Sequence, residues 1–240
     1  MNLILDIGNT STKLAFYDKG KKMSSVRLSE YERDEFENEL SGFVIDKAII
    51  SSTRVIPEFI HRLLNQRIPY VHELSYKSRF PFRIDYDTPE TLGTDRIAAV
   101  AGAYNNFPGA EIMVIDAGTA LTFEFLSENI YRGGNISPGL AMRFKALNSF
   151  TEQLPLISAQ DDYSFPGRNT ADAIRAGVIS GFVYEINEYI RTFEKNRTDY
   201  KIVLTGGDGV FVKKRINYQI TYLPDVVTDG LNYILEYNAE

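Results

Sequence analysis

LILDIGNTSTKLAFYD, Leu3–Asp18, decides how the chain is read. An apolar run stops at Asp6, passes Gly8 and a set of small polar residues, and resumes with alternating side chains from Leu14. The pattern is that of a buried strand, a tight turn and a second strand paired back on the first. The stretch IMVIDAGTALTFEFL, Ile112–Leu126, repeats it, so that Asp6, Gly8 and Asn9 correspond to Asp116, Gly118 and Thr119. In each turn the aspartate closes the first strand, the glycine takes a turn that a Cβ would obstruct, and the next backbone N–H groups can face an anion closely. Two such turns facing one another would suit a nucleoside triphosphate and its cation. Aspartates hold a hard cation directly or through water, while amides, hydroxyls and Lys13 neutralise phosphate oxygens. The other reading is a pair of ordinary β-turns, in which Asp, Gly, Asn and Thr are favoured for local reasons. Repetition in the same strand-turn-strand setting favours phosphate and cation binding.

Outward from these hairpins, further apolar runs at KAIISS (Lys47–Ser52) and KIVLTG (Lys201–Gly206) join NLILDI and EIMVID as strands buried on both faces. Helical periodicity fits 31–40, 57–65, 95–105, 140–148, 171–194 and 225–237. Strands and helices interleave, which makes the chain α/β. The seam with the strongest turn composition is Asn105–Gly109, giving an expected division into domains 1–108 and 109–240.

Composition excludes several functions. A net charge of −6 over 240 residues disfavours nucleic acid as the main partner. The absence of cysteine removes disulfides, thiolate metal sites and cysteine nucleophiles, and agrees with a cytoplasmic protein. Asp6 interrupts the first apolar run after a few residues, so a secretory signal is not expected, and no run approaches the roughly 20 residues that cross a bilayer as a helix. No Walker sequence, G-x-G-x-x-G or G-x-S-x-G is present. His61 and His72 lack a recognisable serine or metal partner in sequence.

In YDTPETLGTDR, Tyr86–Arg96, Gly93 and Thr94 end a loop and Asp95 opens the periodic run DRIAAVAGAY. Asp95 is therefore expected in a helix's first turn, where a carboxylate already complements the helix dipole by roughly 0.3 to 1 kcal/mol. Arg96 reads either as a surface ion-pair partner or as a clamp for a carboxylate. Thr170 reads as the N-cap of the helix from Ala171.

DIGNTSTK, LGTDR (92–96), IDAGTALT (115–122), GGNISPGL (133–140), GRNT (167–170) and TGGDG (205–209) occur in the order found in the type III pantothenate kinases, which this chain resembles over nearly its whole length. That family lies within the superfamily of sugar kinases, actin and heat-shock ATPases. The resemblance implies an actin-like (ribonuclease H-like) fold of duplicated domains. It implies phosphorylation of pantothenate by ATP to 4'-phosphopantothenate, the first step toward coenzyme A. By resemblance Asp6, Ile7, Gly8, Asn9, Thr10, Ser11, Thr12, Lys13 and Thr119 contact ATP, with Asp6 at the Mg2+-phosphate end. Asp116 holds a monovalent cation, potassium or ammonium. Asp95 is the general base for pantothenate's primary hydroxyl. Tyr86, Gly93, Thr94, Arg96 and Thr170 contact pantothenate, with Thr170 reaching it from the other subunit of a homodimer built on helix 171–194. Competing expectations are a nucleotide-binding regulator without turnover, an ATPase of the same fold, and a kinase for another small alcohol.

Overall fold

The computed structural model describes residues 1–8, 11–28, 33–195 and 197–239. The chain forms two units: Met1–Pro108 with Asn129–Tyr131 and Asp225–Glu240, and Gly109–Glu128 with Arg132–Pro224. The chain thus returns at Asp225 to the unit in which it began.

The first unit contains β1 (Asn2–Ile7), β2 (Thr12–Asp18), β3 (Lys21–Leu28), α1 (Arg33–Leu40), β4 (Lys47–Ser52), α2 (Glu58–Arg67), β5 (Tyr70–Glu73), β6 (Arg83–Ile84), a 3-10 turn (Pro89–Thr91) and α3 (Thr94–Asn106). Then come β7 (Glu111–Ala117), β8 (Ala120–Ser127), β9 (Ile130–Pro138), α4 (Leu140–Ser149), α5 (Thr170–Glu194), β10 (Tyr200–Thr205), α6 (Gly209–Lys213) and β11 (Thr221–Tyr222). The last helix, α7 (Val226–Ala239), belongs to the first unit.

The first sheet runs β3-β2-β1-β4-β5 and the second β6-β9-β8-β7-β10-β11. In both, the first hairpin is antiparallel and the later strands are added in parallel. The repeat therefore extends beyond the two strands visible in the sequence. Even the next turn is reproduced: Lys19 and Gly20 in one copy, Glu128 and Asn129 in the other, all have positive φ. Paired positive φ values are what a two-residue hairpin turn needs to match strand twist.

In the first unit Leu3, Leu5, Ile7, Leu14 and Phe16 pack with Phe36, Leu40, Ile60, Leu63 and Leu64 from α1 and α2. Burying each such side chain stabilises by about 1.5–3 kcal/mol, and an unpaired charge would not be tolerated among them. Alternation along the strands sends Asn2, Asp6, Lys13 and Tyr17 to the opposite face. That face carries α7 through polar contacts: Asn2 Nδ2 donates to Asn232 Oδ1 at 2.8 Å, and Tyr17 Oη donates to Asp229 Oδ1 at 2.6 Å. Against α7 lies α3, with almost no side chain between the backbones. A Cβ on Gly102 would lie 2.0 Å from the Val226 carbonyl oxygen, and one on Gly230 would lie 1.9 Å from that of Ala98. The second unit repeats the dry side: Met113, Ile115, Ala117, Leu121 and Phe123 pack with Phe144 and with the Ile174, Phe182 and Ile190 stripe of α5.

Two helix starts differ from the sequence expectation. Thr94 is the first residue of α3 rather than the end of a loop. The cap of α5 is Asn169, whose Oδ1 accepts the Asp172 N–H at 2.9 Å, and Thr170 is the first helical residue. Asn169 wins because its amide also donates to the Asp172 carboxylate at 3.0 Å, a reciprocal pairing that Thr170 is one residue too late to make. The start of the helix expected at 31–40 includes Tyr31, which lies outside the described residues; α1 is described from Arg33.

Candidate active site

A polar row crosses the first sheet near the C-terminal ends of β1 and β4. Asp6 lies opposite Lys13 on one side and Ser51 on the other, and Arg27 lies opposite Lys13. Directly opposed residues share a face, so all four project toward the side that carries α7. Burial pushes the Asp6 carboxyl up, and the Asp95 charge pushes it further; Lys13 and Arg27 pull it back, leaving it at about 6. A carboxylate raised this far is held in its charged form against its environment near neutral pH.

Asp95 reaches this position because α3 is bolted to β4. Ser51 Oγ donates to Thr94 Oγ1 at 2.9 Å, and Thr94 Oγ1 donates to the Ser52 carbonyl at 3.3 Å. The Asp95 carboxylate accepts the Arg96 N–H at 2.9 Å and folds over Gly93, where a Cβ would come within 2.6 Å of Oδ1. Gly93 is needed for this turn because any side chain would displace that carboxylate. Arg96 is buried, with Nη2 donating to Tyr131 Oη at 3.1 Å and its guanidinium 5.9 Å from the centre of the Tyr86 ring. Tyr86 and Tyr131 lie 6.2 Å apart, one contacting the guanidinium through its ring and the other through its hydroxyl.

The first turn is closed by a hydrogen bond from Gly8 N–H to the Ser11 carbonyl at 3.0 Å. Ile7 ends β1 and Thr12 begins β2; Thr12 is buried, and its Oγ1 has no hydrogen-bond partner among the described residues. A buried hydroxyl without a partner costs free energy that a phosphate oxygen or a water would recover. Asn9 and Thr10, expected to contact ATP, lie outside the described residues. Lys13 does not project into the turn: its ammonium pairs with Asp225 Oδ1 at 2.8 Å.

In the second unit, Asp116 lies opposite Thr122 on β8 and Thr205 on β10. Its turn is closed by Gly118 N–H donating to the Ala120 carbonyl at 3.0 Å. Two other segments press on it. A Cβ on Gly139 would stand 2.3 Å from the Thr119 carbonyl oxygen, and one on Gly206, at φ +93°, would stand 2.4 Å from Asp116 Oδ1. Asp208, whose carboxyl is raised by burial, donates its N–H to the Ala117 carbonyl at 2.8 Å. Carboxylate and carbonyl oxygens packed without side chains between them are the donor set of a hard cation. Thr119 is exposed at the tip of this turn, and Thr170 is exposed at the start of α5.

The first unit therefore brings together Asp6, Lys13, Tyr86, Gly93, Thr94, Asp95 and Arg96, and the second holds Asp116, Thr119 and Thr170. Among the described residues no cluster of three or more histidine or acidic side chains forms a metal cage. Asp6 with Asp95 is a donor pair that suits Mg2+, which keeps waters and phosphate oxygens and uses one or two carboxylates. Sequence reasoning missed Ser51, Arg27, Tyr131 and Asp225. Strand register would have found the first two; nothing local marks the others.

Comparison with known proteins gives a consistent answer. A family model described as type III pantothenate kinase matches residues 2–192. The chain is 42% identical over 240 residues to the type III pantothenate kinase of Phocaeicola vulgatus, covering 99% of each. It is 37% identical over 243 residues to that of Cytophaga hutchinsonii, covering 100% of each. Among solved structures it is similar to a Campylobacter jejuni protein named for the Baf family of transcriptional activators (TM-score 0.63, 26% identity, 99% of this chain and 98% of the other). It is also similar to the activator of the 2-hydroxyisocaproyl-CoA dehydratase from Clostridium difficile, solved with bound ADPNP (TM-score 0.52, 12% identity, 99% and 93%), a likeness of fold alone. The fold is the α/β one of actin-like ATPases and sugar kinases, with two sheets.

Proposed function

The chain belongs to the type III pantothenate kinase family, whose enzymes phosphorylate pantothenate with ATP in coenzyme A biosynthesis, and from that premise we propose how its residues divide the reaction. The observation that carries the proposal is Asp6, lifted to about 6 by burial and by the neighbouring charge of Asp95. A buried carboxyl raised in this way beside a second carboxylate and opposite Lys13 is the pattern of a functional site.

Asp95 accepts the proton of pantothenate's primary hydroxyl and orients that oxygen for attack. The base can be weak, because phosphoryl transfer through a loose transition state depends mainly on positioning and charge stabilisation. Asp6 orients the phosphate end of ATP, with the amide of Ser11 and the orphaned hydroxyl of Thr12 supporting the phosphates; Ile7, Gly8, Asn9 and Thr10 join them at ATP. Thr119 contacts ATP from the second hairpin. When bound, Mg2+ at Asp6 and potassium or ammonium at Asp116 supply positive charge against the phosphate oxygens. Arg96, bonded to the Tyr131 hydroxyl and lying over the Tyr86 ring, meets the pantothenate carboxylate, and Gly93 and Thr94 shape the wall beside it. The enzyme works in the cytoplasm as a homodimer joined through α5, with Thr170 serving the partner's substrate.

The test is ADP release by the purified protein with Mg-ATP and potassium or ammonium, comparing pantothenate, other alcohols and no acceptor. Release that requires pantothenate supports the assignment. Release indifferent to acceptor would make the protein an ATPase, and release with another alcohol alone would make it a different kinase. Sedimentation at micromolar concentration tests the dimer; a monomer there would remove Thr170 from the site.

A further inference from the structure

We propose that Lys22 and Asp225 are positioning residues that hold Lys13 in reserve beside the first turn and ease its transfer to a nucleotide phosphate. The inference rests on the assignment of Lys13 to ATP. Asp225 stands immediately before α7 and carries two ammonium groups at once, Lys13 at Oδ1 and Lys22 at Oδ2. Burial works to raise the Asp225 carboxyl, but the hydrogen bonds and charges of the two lysines outweigh it and hold it below the usual range.

The second lysine changes what it costs Lys13 to leave. A half-buried carboxylate with a single partner is left bare when that partner departs, with the full penalty of an uncompensated charge. Here Lys22 stays. Lys13 meanwhile stands directly across from Arg27, a like charge that disfavours a crowded resting place, and directly across from Asp6, at the edge of the turn that takes phosphate. Its flexible four-carbon stem can swing between the two anions.

The geometry that puts Lys22 there is a bulge. Between Phe16 and Tyr17 the β2–β3 register shifts, so Phe16 faces Ser24 but Tyr17 faces Lys22, and Met23 is passed over. Without the shift Met23 would share the face of Tyr17 and Lys13, and Lys22 would point away from Asp225. Bulges re-aim side chains in this manner. The Tyr17 hydroxyl, bonded to Thr228 and Asp229, fixes the start of α7 on the same face and so fixes Asp225.

The experiment measures kcat and KM for ATP at saturating pantothenate in wild type, Lys13→Met, Lys22→Met, Lys22→Arg, Asp225→Asn and the Lys22→Met/Asp225→Asn double variant, with melting temperatures. Lys13→Met is expected to raise KM for ATP by about tenfold, and Lys22→Met by about fivefold with kcat within about twofold of wild type, because Lys13 alone must then neutralise Asp225. Lys22→Arg keeps the wild-type KM. The double variant returns to within about twofold of wild type, since Asp225→Asn removes the competing anion. An unchanged KM in Lys22→Met beside a raised one in Lys13→Met would overturn the inference and leave Lys13 at the phosphate. Failure of the double variant to recover while its melting temperature is preserved would overturn it too. An unchanged KM in Lys13→Met would overturn the assignment of Lys13 itself, and the inference with it.

Discussion

The two hairpins start from one plan and end in turns of different length with different neighbours. In the first, Ile7 pairs with Thr12, which leaves a four-residue turn; in the second, Ala117 pairs with Leu121, which leaves three. Among the described residues a Cβ on Gly8 would meet only the Ser11 carbonyl oxygen, at an ordinary 3.4 Å, whereas the second turn is pressed by the backbones of Gly139 and Gly206. Thr12, where the first turn ends, has an orphaned hydroxyl among the described residues; the second turn is pressed by its own chain. The two copies thus share topology and the Asp-x-Gly signature, while the surroundings of the second turn set its aspartate among carbonyls. A shared motif is therefore evidence of shared descent of backbone, and the surroundings decide its chemistry.

The comparison breaks most visibly through Asp95, the proposed base, whose charge acts on Asp6 in the first hairpin. Asp95→Asn is expected to lower kcat by about a thousandfold, within the usual range for losing a general base, while the melting temperature holds or rises because the charge repelling Asp6 is gone. A parallel loss of activity and melting temperature would mark a structural aspartate.

Next in size are paired alanine substitutions. Gly206→Ala should destabilise by about 3 kcal/mol or more, because it combines a backbone collision with a positive φ, and Gly8→Ala by less than about 1 kcal/mol. Denaturant midpoints compare the two directly. Similar values would mean that both turns are packed alike. Away from both turns, Asn169→Ala should cost about 1 kcal/mol and Thr170→Ala nearly nothing, by the same assay, since only Asn169 caps α5.

How far the sequence alone carried depended on what each feature rests upon. β1 and β4 were read to the residue, because strands buried on both faces leave uninterrupted apolar runs. β3 left no such trace, being mostly exposed, and β6 and β11 are two residues each. At the site, Asp6 and Asp95 stood out within motifs. Ser51 and Arg27 did not, since their role comes from lying across the sheet from Asp6 or Lys13. Tyr131 and Asp225 join the first unit only because the chain comes back to it, through 129–131 and again at 225, and no local pattern records a return. The N-cap of α5 was misplaced by one residue because Asn169 and Thr170 are both competent caps; the partner at Asp172 decides between them.

The account stands on Asp6 being held at a cost to folding. With its carboxyl at about 6 in the folded protein against 3.8 as the ordinary value, the folded state binds more protons than the unfolded one between those limits, so stability falls as pH rises through that window and the loss is complete above it. Asp6→Asn removes the cost. The direct measurement is the unfolding free energy of wild type and Asp6→Asn from pH 4 to 8, alongside ADP release. The expected result is an inactive variant that is nearly as stable as wild type at pH 4 and gains through pH 6 to a plateau of up to about 3 kcal/mol. A variant less stable than wild type at pH 7, or a difference that does not change with pH, would contradict the claim that the first turn keeps its aspartate for function.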